Sequence, residues 1–131
     1  MIDLAILFRT LNLYIHHAHN LARGTAFHED HAFFAGLYEF ADDAYDSLIE
    51  RQIGTVSDDV DLCEIVKESY SLLENMDNRY YENALVLLQE GVNMIDEMSK
   101  GAKLSSGTVN MLQGLSDQME VLIYKIKRKL A

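Results

Sequence analysis

The sequence predicts an all-α fold, a bundle of four long helices with a short extra helix between the second and the third. Among its 131 residues there is no proline and there are only seven glycines, so residues that break helices are scarce. Hydrophobic residues make up 49% and charged residues 24%, which is typical of a packed domain, and we assign residues 1–131 to a single domain. Apolar residues also recur at three- and four-residue steps in five segments, as helices require.

The first two helices follow from the clearest periodicity. The first spans about residues 2–22 and ends near Gly24, which suits a left-handed C-terminal cap. Its apolar stripe consists of Leu4, Leu7, Leu11, Tyr14, Ala18 and Leu21. The second helix begins near Phe27 and stops at Gly54. Its stripe consists of Phe34, Leu37, Ala41, Ala44 and Leu48.

Three further helices complete the prediction. A short connecting helix has Ser57 as its expected N-cap. Its apolar residues are Leu62, Ile65, Val66, Tyr70 and Leu73. The third long helix ends at residues 99–101, with Lys100 favourable at the negative end of its dipole. Its stripe is Tyr81, Ala84, Leu85, Leu88, Val92, Ile95 and Met98. The last helix starts at Ser106 or Thr108. Its stripe is Val109, Leu112, Leu115, Met119, Leu122, Ile126 and Leu130.

The charge of the chain argues against a basic nucleic-acid binder. Twenty-one acidic residues stand against 11 Lys and Arg, a formal net charge of -10, which repels a polyanion. Four of the basic residues lie near the C-terminus, where they also complement a helix dipole. They are Lys125, Lys127, Arg128 and Lys129. DNA binding is therefore the minority interpretation.

Cysteine content and hydropathy indicate the cellular compartment of the protein. The single cysteine, Cys63, cannot form an internal disulfide, and beside apolar neighbours it is expected to be a buried, inert thiol. Asp3, Arg9 and Asn12 interrupt the apolar stretch near the start, so neither a signal peptide nor a membrane span is predicted. We expect a cytoplasmic protein.

The second helix carries another face, and its residue types are not those of an ordinary solvent-exposed surface. At about 100° per residue, five side chains fall within roughly 60° of His31, and Glu50 lies at about 100°. The five are Ala35, Tyr38, Asp42, Asp46 and Ile49. This face mixes an aromatic residue, a histidine and carboxylates, which suits a helix that packs inside its own bundle and also against another chain.

A metal site on this face needs two chains. His31 and Asp46 are separated by fifteen residues, roughly 22 Å along the helix axis, whereas ligands lie about 2 Å from a shared ion. If two copies of the helix pack antiparallel about a two-fold axis, the His31 end of one meets the Asp46 and Glu50 end of the other. His19 approaches His31 across the Gly24 turn. The predicted ligands are therefore His19 and His31 of one chain with Asp46 and Glu50 of a second copy, a set that suits Fe(II), with Zn(II) or Mn(II) as competitors.

These segments resemble the signature of the Dps-type miniferritins. The stretch His19-Asn-Leu-Ala-Arg-Gly-Thr-Ala-Phe27, then His31, then Asp46-Ser-Leu-Ile-Glu50-Arg51 is similar to the family pattern, in which the second histidine comes twelve residues after the first. Residue by residue, the resemblance assigns the two histidines and the two carboxylates to a ferroxidase site shared between subunits. It covers the first two helices specifically, whereas the last helix is similar in pattern only. The short helix between the second and third long helices is also a family trait.

Two departures from that pattern weaken the site. The family has a glutamate and an aspartate ligand after the second histidine, where this chain has Ala32 and Ala35. It also has tryptophan where this chain has Asn20, and the chain contains no tryptophan. Glu39, Asp42 and His28 lie near this position and are candidates to compensate in part for the missing ligands.

The resemblance implies a ferritin-like domain that assembles from two-fold dimers into a hollow dodecamer. It implies oxidation of Fe(II) with hydrogen peroxide or oxygen and storage of the ferric product. The alternative is a ferritin-like assembly protein with weakened or lost ferroxidase activity, in which the two histidines are interface side chains. His16, His17 and His28 are expected to be structural or solvent-facing.

Overall fold

The structure, a computed structural model, describes residues 1–101 and 103–131. Within these residues the chain forms five α-helices and no strand. They are α1 (Ile2–Leu21), α2 (Phe27–Thr55), α3 (Leu62–Leu73), α4 (Tyr80–Gly101) and α5 (Ser106–Leu130). The all-α class and the order of four long helices and one short helix are confirmed. None of the helices in the described ranges is long and apolar enough to cross a membrane.

The helices fall into two compact units, residues 1–80 and 81–131. In the first unit, α1 packs against α2 and α3. Its segment 4–8 is buried at every position, because this helix is apolar on more than one face. Of its predicted stripe only Leu21, at the exposed end of the helix, lies outside the core. The α2 stripe is confirmed in full, since its five predicted residues are the buried residues of that helix.

The turn between α1 and α2 reverses the chain within five residues. Gly24 has φ of +89°, a backbone conformation that side chains with a Cβ rarely adopt, as the sequence predicted for this position. The backbone N–H of Phe27 donates to the Gly24 carbonyl at 3.1 Å, which closes the turn at the start of α2. This tight reversal places the end of α1 beside the first turns of α2.

The predicted N-cap of α3 is wrong. Asp61, not Ser57, caps the helix, and its Oδ1 accepts hydrogen bonds from the backbone N–H groups of Cys63 at 2.9 Å and Glu64 at 3.3 Å. The Ser57 hydroxyl oxygen instead accepts from the N–H of Asp59 at 3.0 Å. Serine and aspartate are both favoured at N-caps. The observed helix begins one turn later than a helix capped by Ser57 would begin.

The buried face of α3 contains only one of the five apolar residues that define its periodicity. Only Ile65 and Ser69 are buried, whereas Leu62, Val66 and Tyr70 are 67%, 55% and 61% exposed. These two sets lie about 80° apart around the helix, so only one of them turns toward the core. Cys63 is exposed as well, which corrects the expectation of a buried thiol.

The second unit contains α4 and α5. The side-chain oxygen of Ser105 accepts from the N–H of Thr108 at 3.2 Å and caps α5. The Lys129 ammonium lies 5.6 Å from the centre of the Tyr81 ring, so the end of α5 returns to the start of α4 as an antiparallel pair. Buried residues of the predicted stripes are Ala84, Leu88, Ile95, Leu112, Leu115, Met119 and Ile126. Leu130, predicted to be buried, is exposed in the last turn.

Candidate metal centre

The structure brings together the two histidines that the sequence selected. His19 lies in the last turn of α1 and His31 in the second turn of α2, and their rings stack with centroids 3.7 Å apart and planes at 25°. The Nδ1 of His19 is 2.9 Å from the His31 carbonyl oxygen, and the Nδ1 of His31 is 3.2 Å from the His19 carbonyl oxygen. Each residue therefore holds the other through both its ring and its backbone.

These two hydrogen bonds determine the tautomers. A carbonyl oxygen only accepts, so each Nδ1 carries the proton and donates it. When such a ring binds a ligand, Nε2 is therefore the nitrogen that supplies the lone pair. Metal-binding histidines commonly donate their other ring N–H to a backbone carbonyl, which fixes the ring and makes the ligand nitrogen more basic. His19 and His31 both have this arrangement.

The stacked geometry must open before both rings bind one ion. The lone pair of each Nε2 lies in its ring plane, and a ligand nitrogen sits about 2 Å from the metal. Planes that are 25° apart with centroids separated by 3.7 Å do not intersect that close to the rings. Binding of a shared ion therefore requires the two ring planes to tilt apart. The stacking contact between the rings is then lost and is replaced by coordination of both rings to the ion.

Further aromatic rings surround the pair. The Phe27 ring lies 4.9 Å from that of His31. The Tyr38 ring meets His19 edge to face, with centroids 5.3 Å apart at 73°. His16 stacks on the Tyr38 ring at 4.2 Å and 13°. Sequence reasoning missed this extension, although Tyr38 was placed on the His31 face and His16 is one turn before His19.

A polar cluster fixes α1 to α2 further along. The Arg9 side chain donates to Asp42 Oδ1 at 3.1 Å and to Asn12 Oδ1 at 3.2 Å. Its guanidinium also lies 3.8 Å from the centre of the Tyr45 ring. Asn12 Nδ2 donates to the Tyr38 carbonyl at 3.0 Å, which ties this cluster to the histidine region. Asp42 is thus engaged by Arg9, and it is also about 16 Å along α2 from His31.

The two predicted carboxylate ligands are exposed on α2. Asp46 and Glu50 lie one turn apart, on the half of the helix that is distant from His31. Nothing in the described part of this one chain gathers three or more His, Cys, Asp or Glu side chains in a metal-binding group. A site that joins these carboxylates to the histidine pair therefore needs a second chain, as the helix spacing predicted, and its existence stays a prediction.

The remaining predicted residues lie at the surface of the chain. His16, His17 and His28 are exposed, as predicted. Of the three substitutes for the missing ligands, Glu39 is exposed about 12 Å along α2 from His31, and only His28 lies within one turn. Comparison of the chain with protein-family models, with curated proteins and with solved structures yields no match.

Proposed function

We propose that this chain is the subunit of a Dps-type miniferritin, a cytoplasmic protein that oxidises Fe(II) with hydrogen peroxide or oxygen and stores the ferric product in a hollow homo-oligomer. The observation that carries the proposal is the His19–His31 pair. Both Nδ1 atoms are held by backbone carbonyls, so Nε2 is the nitrogen of each ring that would supply a lone pair to a ligand. The resemblance of the motif around these residues adds the reaction and the assembly.

In the proposed site, two chains pack through α2 about a two-fold axis. His19 and His31 of one chain then bind Fe(II) together with Asp46 and Glu50 of the second copy. The exposure of both carboxylates on a single chain suits this arrangement, because they remain accessible to another copy. Two carboxylates beside the iron supply negative charge, which stabilises the ferric product more than the ferrous substrate.

The acidic composition suits an iron container. With a formal net charge of -10, the chain attracts cations and repels DNA. Exposed carboxylates such as Asp58, Asp59 and Asp61 are available to concentrate Fe(II) at an entrance or an inner surface. DNA association remains the disfavoured part of the proposal despite the basic end of α5.

Oxidation kinetics test the proposed chemistry. Fe(II) is added to the assembled protein under air or with peroxide, and the ferric absorbance is followed by stopped flow in wild type and in His31→Ala. We expect the rate to fall at least about tenfold, because the variant removes one of two imidazole ligands. His17→Ala, an exposed histidine on α1 two residues before His19, is the matched control and should oxidise iron at the wild-type rate. Equal rates in wild type and His31→Ala would mean that the histidines play no part in the reaction.

The second candidate is an assembly protein of the same fold without efficient ferroxidase activity. Two observations favour it. Ala32 and Ala35 offer no ligand atoms beside His31. The stacked histidines also have a structural role, because they hold α1 and α2 together. In that case the protein forms an oligomer, and His31→Ala lowers its stability without changing iron oxidation.

A further inference from the structure

A cavity of about 460 Å³ lies in the first unit, between α1 and the segment of residues 74–79 that joins α3 to α4. Its lining comes from α1, the end of α3, this joining segment and the first residue of α4, all within residues 1–80. None of the described residues that line it is a proposed iron ligand. Sites for small organic molecules typically have volumes of roughly 300–1,000 Å³. The cavity is therefore large enough for such a molecule and separate from the candidate metal centre.

The aromatic wall of the cavity is held in place by contacts within the protein. The Tyr14 hydroxyl donates a hydrogen bond to the Asp77 backbone carbonyl at 2.6 Å, which ties the joining segment to α1. The Tyr80 ring lies 5.1 Å from the Tyr14 ring, and the Phe34 ring of α2 supports it at 6.3 Å. Tyr14 is buried and Tyr80 is half-buried. This wall exists before a ligand enters, which lowers the entropic cost of binding.

Three apolar side chains add to the lining and favour an aromatic ligand. Leu73 and Met76 are half-buried, whereas Leu13 is 47% exposed on α1. The flexible thioether of Met76 packs well against flat rings. Edge or offset contacts with the two tyrosine rings stabilise a bound aromatic ring beyond the burial of its apolar surface. The cavity is thus suited to a flat aromatic group.

The polar groups at the exposed rim indicate the charge of the ligand. They belong to Asp77, Asn78 and His17. With histidine counted as neutral, Asp77 is the one charged side chain among the described residues of the lining. The backbone N–H and the Nε of Arg79 both donate to its carboxylate at 3.1 Å. This ion pair is exposed, so Arg79 offsets the negative charge only in part. Because the faces of tyrosine rings also attract cations, the cavity favours a cation over an anion.

We propose that this cavity binds an aromatic amine in its protonated form. The ring of the ligand packs beside Tyr14, Tyr80 and Met76, and its ammonium group lies at the rim near Asp77. The proposal does not depend on iron oxidation, since the two sites share no residue. An exposed ion pair and a cation near a tyrosine ring are both modest interactions, so the positive charge should improve the affinity about tenfold.

The test uses three indole probes with side chains of two carbons that differ in charge. Tryptamine carries an ammonium group, tryptophol a neutral hydroxyl and indole-3-acetate a carboxylate. Because the chain contains no tryptophan, indole fluorescence reports the probe with little background from the protein. The purified full-length protein is titrated into each probe, and fluorescence anisotropy is followed. We expect one saturable tryptamine site per chain, an affinity about tenfold lower for tryptophol and the weakest binding for indole-3-acetate.

Two aspartate variants locate the site. Asp77→Asn removes the rim charge but keeps an oxygen that can accept from the Arg79 N–H, so circular dichroism should be unchanged. Its affinity for tryptamine should fall about tenfold, to that of tryptophol, whereas its affinity for tryptophol stays the same. The matched control is Asp58→Asn, which removes the same charge from an exposed position between α2 and α3 outside the cavity. This control should bind all three probes as wild type does.

Three results would overturn the proposal. If tryptamine shows no saturable binding, the cavity does not hold an aromatic amine. If the three probes bind with equal affinity, the cavity does not select a cation. If Asp77→Asn binds tryptamine as wild type does, or loses no more affinity than Asp58→Asn, any attraction for tryptamine comes from the net charge of the chain and not from the cavity. Each of these results leaves the proposed iron oxidation untouched, because that reaction is measured separately with His31→Ala.

Discussion

The His19–His31 pair concentrates several weak interactions at one point between two helices. A ring stack and two side chain to backbone hydrogen bonds all depend on the same two side chains. Removal of either ring breaks the stack and leaves the carbonyl that it bonded without this donor. The pair should therefore stabilise the fold in addition to any role in binding iron.

A double-mutant cycle measures this coupling. We expect His19→Ala and His31→Ala each to lower the free energy of unfolding by about 1–3 kcal/mol. The double variant should lose less than the sum of the two, with an interaction energy of about 0.5–1.5 kcal/mol. His28→Ala, an exposed histidine on the same helix, should change stability by less than about 0.5 kcal/mol. Urea unfolding of the metal-free protein gives these values, and strictly additive losses would show that the stack does not form in solution.

Sequence patterns located the histidine pair but not its surroundings. The twelve-residue spacing across a glycine turn was enough to predict that His19 and His31 meet, because the turn forces the neighbouring ends of two helices together. The contact of Tyr38 with His16 depends on how α1 and α2 are offset along their axes, and no spacing within one helix fixes that offset. For the same reason the Arg9 bridge to Asp42 was not foreseen.

At the scale of the helices, periodicity worked best where one apolar stripe faces the core. On α2 the predicted and observed buried residues are the same. On α3 the buried set is Ile65 with the polar Ser69, whereas Leu62, Val66 and Tyr70 are exposed, so the apolar periodicity alone does not identify the face that turns inward. The polar stretch before α3 contains both Ser57 and Asp61, so capping preferences alone did not identify the helix start.

The α3 cap gives a prediction for local stability. Asp61→Ala removes the acceptor of two backbone hydrogen bonds and should lower the free energy of unfolding by about 0.5–2 kcal/mol. Ser57→Ala removes one hydrogen bond in an exposed turn and should cost less than about 0.5 kcal/mol. Thermal and urea unfolding of the two variants compare them directly. A larger loss in Ser57→Ala than in Asp61→Ala would place the helix start at the earlier residue.

At the scale of the whole molecule, the proposed function depends on assembly, because the carboxylates and the histidine pair lie at opposite ends of one helix. Sedimentation analysis of the purified protein should reveal a homo-oligomer, with a dodecamer expected from the family resemblance. Iron loading should leave its size unchanged, since the mineral would form inside. A stable monomer at micromolar concentration would rule out both the shared site and the storage role.

The central claim is that each iron site takes its histidines from one chain and its carboxylates from another, and subunit complementation tests it most directly. Chains carrying His31→Ala and Glu50→Ala are co-expressed in equal amounts, each with its own affinity tag, and iron oxidation is measured. A mixed dimer has one intact site, because the histidines of the Glu50→Ala chain meet the carboxylates of the His31→Ala chain. Random pairing makes half of the dimers mixed, so activity should recover to about a quarter of wild type. Co-expression of His31→Ala with His19→Ala rebuilds no site and should stay inactive. Recovery only in the first mixture is the predicted result, and two equally inactive mixtures would contradict the shared site.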